Sequence, residues 1–440
     1  MNSSLKKAEN IRDVIRYLQK FKNALIVIYI DDQTIRSPLF SSHIRDIALL
    51  HEAGLQVIII PGARNRIDEI LTSENISWTY KDNSRVTNED AMSLIKMAAF
   101  DVSNQVMTSL AANNITAIIG NWVRSRAKGI LNGYDYGTAG EIDKLEVNAI
   151  RTVLTEGFIP IFPCIGWNSV GHPYNISSIS LAQQVAVNLK ADKLFYLMEN
   201  GSIGSDFIIP EGAAVNSEGE IAAMDLEQAE QFIELNKNDK RQNLLSLVHI
   251  AKLACKNGVV RTHIVDAKID GVLPCEIFSD LGSGTMIYTS NYGKLRPMEQ
   301  TDIPSVLGMM SPFVEAGKIL PRTNDDLLLN LSDYIVYEFD GGIHACSALH
   351  VYPDGQGEIA AVVVDESFAH IGIGPKMMDY LIKKAKDEKL KSLFIMTTQS
   401  ADWFEKLGFA ADTIDSLPEE RKAKWTPERN SKVYRLKQSC

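Results

Sequence analysis

Short runs of apolar residues, interleaved with helix-length amphipathic stretches, restrict the first 290 residues of this chain to one kind of architecture. Residues 24–30 (ALIVIYI) show no polar alternation, as expected of a strand buried on both faces of a sheet. Residues 57–60 read the same way, and residues 157–165, 194–197 and 261–265 also read as strands. Between them, residues 43–53 (stopped by Gly54), 88–110, 180–189 and 242–256 carry helical spacing. Ahead of the first strand, Ile11, Val14, Ile15, Leu18 and Phe21 predict an amphipathic helix over 11–23. This alternation predicts an α/β fold: an open parallel sheet sandwiched by helices.

Near Ser290-Asn291-Tyr292-Gly293 the pattern changes, and the four residues read as a linker. A helix over 303–316 and strands over 334–339, 344–351 and 358–364 follow, with turns at Gly341-Gly342 and 353–357. A glycine-bearing loop, a helix (376–389), a strand (392–397) and a short helix (401–407) complete an α+β domain. The expected boundaries are 1–290 and 291–440. The formal net charge of −10 gives no basic footprint for nucleic acid and disfavours anionic lipid. An anionic substrate therefore requires locally placed Arg or Lys. No apolar run approaches the ~20 residues of a membrane span, and residues 1–20 lack a signal-peptide core. Cys164, Cys255, Cys275, Cys346 and Cys440 are scattered without metal-ligand spacing, which predicts free thiols in a reducing, cytoplasmic setting and no metal.

Chemistry concentrates in the second domain. The strand Ala361-Val362-Val363 runs into His370-Ile371-Gly372-Ile373-Gly374-Pro375 and then into a helix. Backbone N–H groups converge at such a loop, and the helix dipole favours phosphate. Glu358, on the same strand, is a candidate acceptor for an amine proton; it reads equally as an exposed strand end. Ser400, just after the strand 392–397, is a candidate proton donor to a leaving thiolate; it reads equally as a helix N-cap.

From Leu295-Arg296-Pro297-Met298 onward the order of elements resembles the GNAT acetyltransferases, as does the closing Trp403-Phe404-Glu405-Lys406-Leu407-Gly408-Phe409. The resemblance implies that the loop holds the pyrophosphate of acetyl-CoA and that the strand through Ala361, Val362 and Val363 pairs with its pantetheine arm. Ala369 stands where that family has Arg or Gln, and Pro375 supplies no N–H, so other amides carry the grip. Over the whole chain the sequence is similar to the bacterial N-acetylglutamate synthases. The shared motifs include Pro61-Gly62-Ala63-Arg64, Arg85-Val86-Thr87, Cys275-Glu276-Ile277-Phe278, Gly282-Ser283-Gly284-Thr285, Leu320-Pro321-Arg322, Thr397-Thr398-Gln399-Ser400 and Arg429-Asn430-Ser431. That family implies Glu358 as general base, Ser400 as general acid, and Arg322, Arg429 and Ser431 as ligands of L-glutamate. Two guanidinium groups match its two carboxylates. It also implies a first domain of amino-acid-kinase fold that binds L-arginine through Tyr17, Glu276, Gly282, Ser283 and Gly284, and assembly into homo-oligomers. Kinases of that fold carry Lys-x-Gly-Gly after the first strand; here Tyr29-Ile30-Asp31-Asp32 sets two carboxylates there, which repel ATP phosphates. Ile179 stands where the kinase Asp is expected. The domain therefore reads as catalytically silent. Rival readings are an acetyltransferase for another amine and a non-catalytic arginine-binding regulator.

Overall fold

A computed structural model describes residues 21–81, 84–216, 218–278, 283–289, 293–339, 342–365, 373–426 and 431–437. The chain divides into two compact units, residues 1–290 and 291–440. The expected helix at 11–23 lies almost wholly outside the described residues. Among those residues no helix is long and apolar enough to cross a membrane.

Unit 1 is built on nine strands: β1 (Leu25–Ile30), β2 (Gln56–Pro61), β3 (Ala117–Ile119), β4 (Ile159–Ile161), β5 (Lys193–Met198), β6 (Ala214–Val215), β7 (Ile221–Asp225), β8 (Arg261–Asp266) and β9 (Thr285–Tyr288). They lie in the order β6-β7-β9-β8-β5-β1-β2-β4-β3. All six residues of β1 are buried, because helices flank the sheet. One group of helices comprises Ser178–Leu189, Leu226–Leu235 and Gln242–Lys256; another comprises Phe40–Glu52, Arg64–Ser73, Met92–Ala111 and Val272–Phe278. The sheet is mixed rather than wholly parallel. β8 and β9 pair antiparallel, as do β6 and β7. A smaller four-stranded sheet, formed by Val123–Ala127, Gly140–Leu145, Ile165–Trp167 and Pro173–Asn175, has no counterpart in the sequence reading. Its strands, such as VRSRA and GEIDKL, are short and polar and give no apolar run.

Unit 2 is a seven-stranded sheet of β10 (Lys294–Pro297), β11 (Tyr334–Phe339), β12 (Gly342–Val351), β13 (Gln356–Val364), β14 (Ser392–Thr397), β15 (Ala410–Asp412) and β16 (Lys432–Lys437). The order is β10-β11-β12-β13-β14-β16-β15. Every pairing is antiparallel except β13 with β14. Those two are parallel because the helix Ile373–Asp387 carries the chain between them.

The parallel ladder is short. It pairs Gln356 with Ser392, Gly357 with Leu393 and Glu358 with Phe394, and goes no further. Yet β13 continues to Val364 and β14 to Thr397. The facing edges beyond Glu358 and Phe394 are therefore left without a strand partner. On its other side β13 carries a bulge against β12: Cys346 pairs with Val363 and Ala348 with Ala360, so Ser347 faces two residues, Ala361 and Val362. Ala361 takes φ = 52° there, a left-handed conformation that a side-chain-bearing residue adopts at a cost of about 1–2 kcal/mol. Such bulges bend a strand and increase its twist, which turns β13 away from β14. A β-branched side chain fits this conformation poorly. Ala361→Val should therefore lower the stability of unit 2 by about 1–3 kcal/mol, read as a lower denaturant midpoint; an unchanged midpoint would remove the strained bulge from the account.

Candidate active site

Where the ladder ends, unit 2 encloses a cavity of about 160 Å³. Glu358, Ile359, Ala360 and Ala361 of β13 form one wall and Met396 of β14 another. Arg322 and Ser431, both expected to meet the substrate, line the same space. So do Lys318, Arg421, Lys424 and Trp425, which sequence reasoning had not singled out. One carboxylate thus stands among four cationic side chains.

Glu358 is not an exposed strand end. It is 5% exposed, and both its oxygens are engaged. Arg421 Nε donates to Oε1 and Oε2 at 3.0 and 2.8 Å, and Tyr352 Oη donates to Oε2 at 2.8 Å. The Tyr352 ring packs at 5.8 Å from Phe394, the ladder partner of Glu358. Burial pushes the Tyr352 phenol up, and the Glu358 carboxylate reinforces the shift, so the hydroxyl remains a proton donor to the carboxylate. Arg421 comes from the short helix Glu419–Lys422, whose charged sequence reads as a solvated face; only the fold brings it onto Glu358.

Arg322 is anchored by two of its nitrogens. Nε donates to the hydroxyl of the buried Tyr334 at 2.7 Å, and Nη1 donates to the Leu320 carbonyl at 2.8 Å. The guanidinium is thereby oriented with its other terminal nitrogen in reserve. Ser431 is buried at the start of β16, which pairs with β14 through Thr397 and Lys432. Arg429 lies outside the described residues.

Ser400 does not line this cavity. It occupies the N-cap position of the helix Ala401–Lys406, but its side chain makes no cap hydrogen bond. Instead the Thr397 hydroxyl accepts from the backbone N–H groups of Gln399 and Ser400, at 3.3 and 3.0 Å. The Ser400 hydroxyl is thus not consumed by the helix it precedes, and it sits at the end of β14, on the open side of the ladder.

Of the expected cofactor contacts, Val363 is buried in the core with Met298, Val306 and Tyr334, and Ile373 is fully buried. Each can offer only backbone groups to a ligand. His370, Ile371 and Gly372 lie outside the described residues. Gly374 has a packing reason for lacking a side chain: a Cβ there would stand 3.2 Å from the Trp403 ring. Trp403 and Phe404 in turn pack edge to face, so the aromatic signature buttresses the helix that opens at Ile373. Cys346, behind the bulge, is buried and its thiol is pushed up to about 12 by burial. A thiol so shielded is a poor acyl acceptor.

In unit 1 the positions that would cradle phosphate in a kinase are filled by the chain itself. Asp32, 2% exposed, accepts through Oδ2 from the backbone N–H groups of Asn65 and Arg66, at the start of the helix Arg64–Ser73. A carboxylate thus occupies the amides and dipole that would otherwise attract an anion. Burial, followed by the charge of Asp32, raises the neighbouring Asp31 to about 6.

Glu276, expected at the arginine site, belongs to the helix Val272–Phe278, and it is 6% exposed. Its Oε1 is 2.7 Å from His263 Nδ1, and its Oε2 accepts from the N–H groups of Ser283 and Gly284 at 2.6 and 2.9 Å. Tyr17 and Gly282 lie outside the described residues. His263 stacks on Phe195 with ring centroids 4.6 Å apart, and burial lowers its pKa to about 4.

The chain matches the amino acid kinase family over residues 3–266 and the acetyltransferase (GNAT) family over residues 309–409. It is 30% identical to an amino-acid acetyltransferase of Photobacterium profundum over 439 residues, covering 97% of this chain and 98% of that one. To the amino-acid acetyltransferase of Actinobacillus pleuropneumoniae it is 29% identical over 432 residues, 96% of each. Among solved structures, the N-acetylglutamate synthase of Neisseria gonorrhoeae complexed with coenzyme A and L-arginine superposes with a TM-score of 0.80 at 26% identity, covering 98% of this chain and 99% of that one. A second structure of that synthase, complexed with coenzyme A and N-acetyl-glutamate, gives a TM-score of 0.60.

The buried His263 generates a pH test. The unfolded residue titrates near 6.5, the folded one near 4, so between those values the unfolded state binds more protons. Its contribution is fully present above about pH 6.5 and is lost as pH falls toward 4, by up to about 3 kcal/mol. The denaturant midpoint of unit 1 should fall over that window, and His263→Asn should flatten the fall; an identical slope in the variant would contradict the assignment.

With a kinase-family match over more than half its length, a GNAT match over its second unit, and curated relatives spanning nearly the whole of both chains, this chain belongs to the amino-acid acetyltransferase (N-acetylglutamate synthase) family and is an acyltransferase.

Proposed function

We propose that residues 291–440 transfer the acetyl group of acetyl-CoA to the α-amine of L-glutamate by direct attack in a ternary complex. Residues 1–290 form a catalytically silent domain that binds L-arginine as a feedback effector. The observation that carries this reading is the cavity at the end of the β13–β14 ladder, where Glu358 stands beside an unpaired strand edge and among Arg322, Lys318, Arg421 and Lys424.

The unpaired edge of β13 suits an extended amide chain, which can hydrogen-bond to it as an added strand. The pantetheine arm of acetyl-CoA is such a chain. Residues Ala361, Val362 and Val363 would hold it through backbone groups, and the opening turn of the helix Ile373–Asp387 would take the pyrophosphate with its unsatisfied N–H groups. A dicarboxylate substrate suits the cationic lining: Arg322 takes one carboxylate, and Arg429 with Ser431 takes the other. The ammonium of an amino acid must lose a proton before it attacks a thioester. Glu358 is the carboxylate beside the acyl-binding edge. In the ligand-free arrangement its oxygens are committed to Arg421 and Tyr352. The arriving substrate ammonium competes with Arg421 for Glu358, and the carboxylate oxygen it engages accepts the amine proton, directly or through water. Ser400, whose side chain makes no cap hydrogen bond, donates its hydroxyl proton to the departing thiolate and is reprotonated by the second proton that the acylated nitrogen loses, through water. The burial and raised thiol of Cys346 favour direct attack over a covalent acyl-enzyme.

Arginine recognition by unit 1 would engage Glu276. Its carboxylate already holds the backbone of Ser283 and Gly284, so a guanidinium that pairs with it must displace those amides and shift the 283–284 turn. A ligand-dependent change of this kind is what coupling between sites requires. The Neisseria gonorrhoeae synthase, complexed with coenzyme A and L-arginine in one structure and with coenzyme A and N-acetyl-glutamate in the other, supports all three ligand assignments.

The purified chain should release CoA from acetyl-CoA when glutamate is supplied, and turnover with a different amine alone would reject glutamate. Glu358→Gln should lower kcat by about 10²–10⁴-fold, and an unaltered kcat would remove the base. Arg322→Ala should raise the glutamate KM far more than the acetyl-CoA KM; equal effects would take Arg322 off the substrate.

A further inference from the structure

Unit 1 holds a cavity of about 730 Å³ for which acetyl transfer has no use. The volume falls in the ~300–1,000 Å³ range of small-molecule sites. It opens where residues 31–33, 62–65 and 198–199 leave the carboxyl ends of β1, β2 and β5. The chain passes from β1 to β2 on one side and later returns to β5 on the other, so this is the switch point at which open α/β sheets bind ligands.

The lining carries Asp31, Asp32, Glu141 and Glu199 together with Arg64, Arg85 and Lys128; Glu141 pairs with Arg126, Arg85 with Asp68, and Asp32 with backbone amides, which leaves charges of both signs uncompensated. Asp31 has no cationic partner among the described residues; its one side-chain partner is the Tyr29 hydroxyl, which donates at 3.4 Å. At the other end, the Arg64 guanidinium lies over the Tyr80 ring at 4.0 Å. Lys128 Nζ lies 4.0 Å over the Tyr136 ring and donates to Ser84 Oγ at 2.9 Å. Neither cation meets a carboxylate among the described residues. Between them and the sheet, the Arg85 side chain is 4% exposed and paired with Asp68 at 2.9 Å. It donates to the Arg64 carbonyl at 2.8 Å, yet its Nε has no hydrogen-bond partner. The buried Arg85 therefore fixes the backbone from which Arg64 projects.

We infer that this cavity binds a free amino acid, with Arg64 and Lys128 taking its carboxylate and Asp31 its ammonium. A polyphosphate is excluded, because the helix amides that would receive it are held by Asp32 and Asp31 adds a second repelling carboxylate. A ligand of one charge sign leaves either Asp31 or the Arg64–Lys128 pair uncompensated, whereas a zwitterion satisfies both. The site is distinct from Glu276, which is absent from its lining.

The test is calorimetric titration of the full-length chain with the common L-amino acids, each alongside its N-acetyl and decarboxylated forms and Mg-ATP. To silence the other two sites, the chain carries Arg322→Ala and Glu276→Gln. At least one free amino acid should bind this background while its two modified forms and Mg-ATP do not. Adding Arg64→Ala or Asp31→Asn should weaken binding by about tenfold, the loss of one charge-assisted contact. In the otherwise native chain Arg64→Ala should leave acetyl transfer unchanged. Binding of no free amino acid, equal binding of the modified forms, or indifference to both substitutions would each overturn the assignment. Arg64 is exposed and Asp31→Asn is isosteric, and unchanged thermal unfolding of each variant would separate lost contacts from lost folding.

Discussion

Three residue pairs hold β13 to β14, and the chemistry proposed for unit 2 depends on the ladder stopping at Glu358 and Phe394. A sheet edge inside a protein ordinarily satisfies its backbone groups with the next strand. Here β13 and β14 both run on past the last pair, and the bulge at Ala361 turns one from the other. The same geometry leaves a row of backbone groups ready for an amide-bearing ligand and sets the last paired residue, Glu358, at the mouth of the opening. Burial of a carboxylate at that point requires a counter-charge, which Arg421 supplies. The strand divergence, the buried carboxylate and its paired cation thus meet at one interruption.

Unit 1 carries its own carboxylate at the corresponding place. The helix Arg64–Ser73 keeps the N-terminal amides of an anion site, but Asp32 of the same unit accepts from them. A built-in carboxylate is present at effectively unlimited concentration, so a phosphate would have to displace it against both that advantage and the charge of Asp31. The fold nevertheless retains its cavity at the strand ends.

The sequence made the buried strands and long helices plain because their periodicity is set by burial. Helix Gln242–Lys256 and strands Tyr334–Phe339 and Ser392–Thr397 fall where the pattern puts them. The polar strands Val123–Ala127 and Gly140–Leu145 were invisible because they bury little. At the site, Glu358, Arg322 and Ser431 were reachable through motif resemblance, and they line one cavity. Arg421 and Tyr352 were not: one sits in a run of surface-like charges and the other before a proline turn, and only the tertiary fold joins them to Glu358. Gly374, an expected cofactor contact, also has a packing partner that the sequence did not reveal, since a Cβ there would stand 3.2 Å from the Trp403 ring.

Backbone hydrogen exchange along β13, with and without acetyl-CoA, tests the open ladder most directly. Amides between residues 359 and 364 that face β14 should exchange readily in the free protein and become protected when the cofactor is added, while those paired with β12 change little. Equal protection of both sets before addition, or no change afterwards, would contradict the claim that the diverging strands are the cofactor's seat.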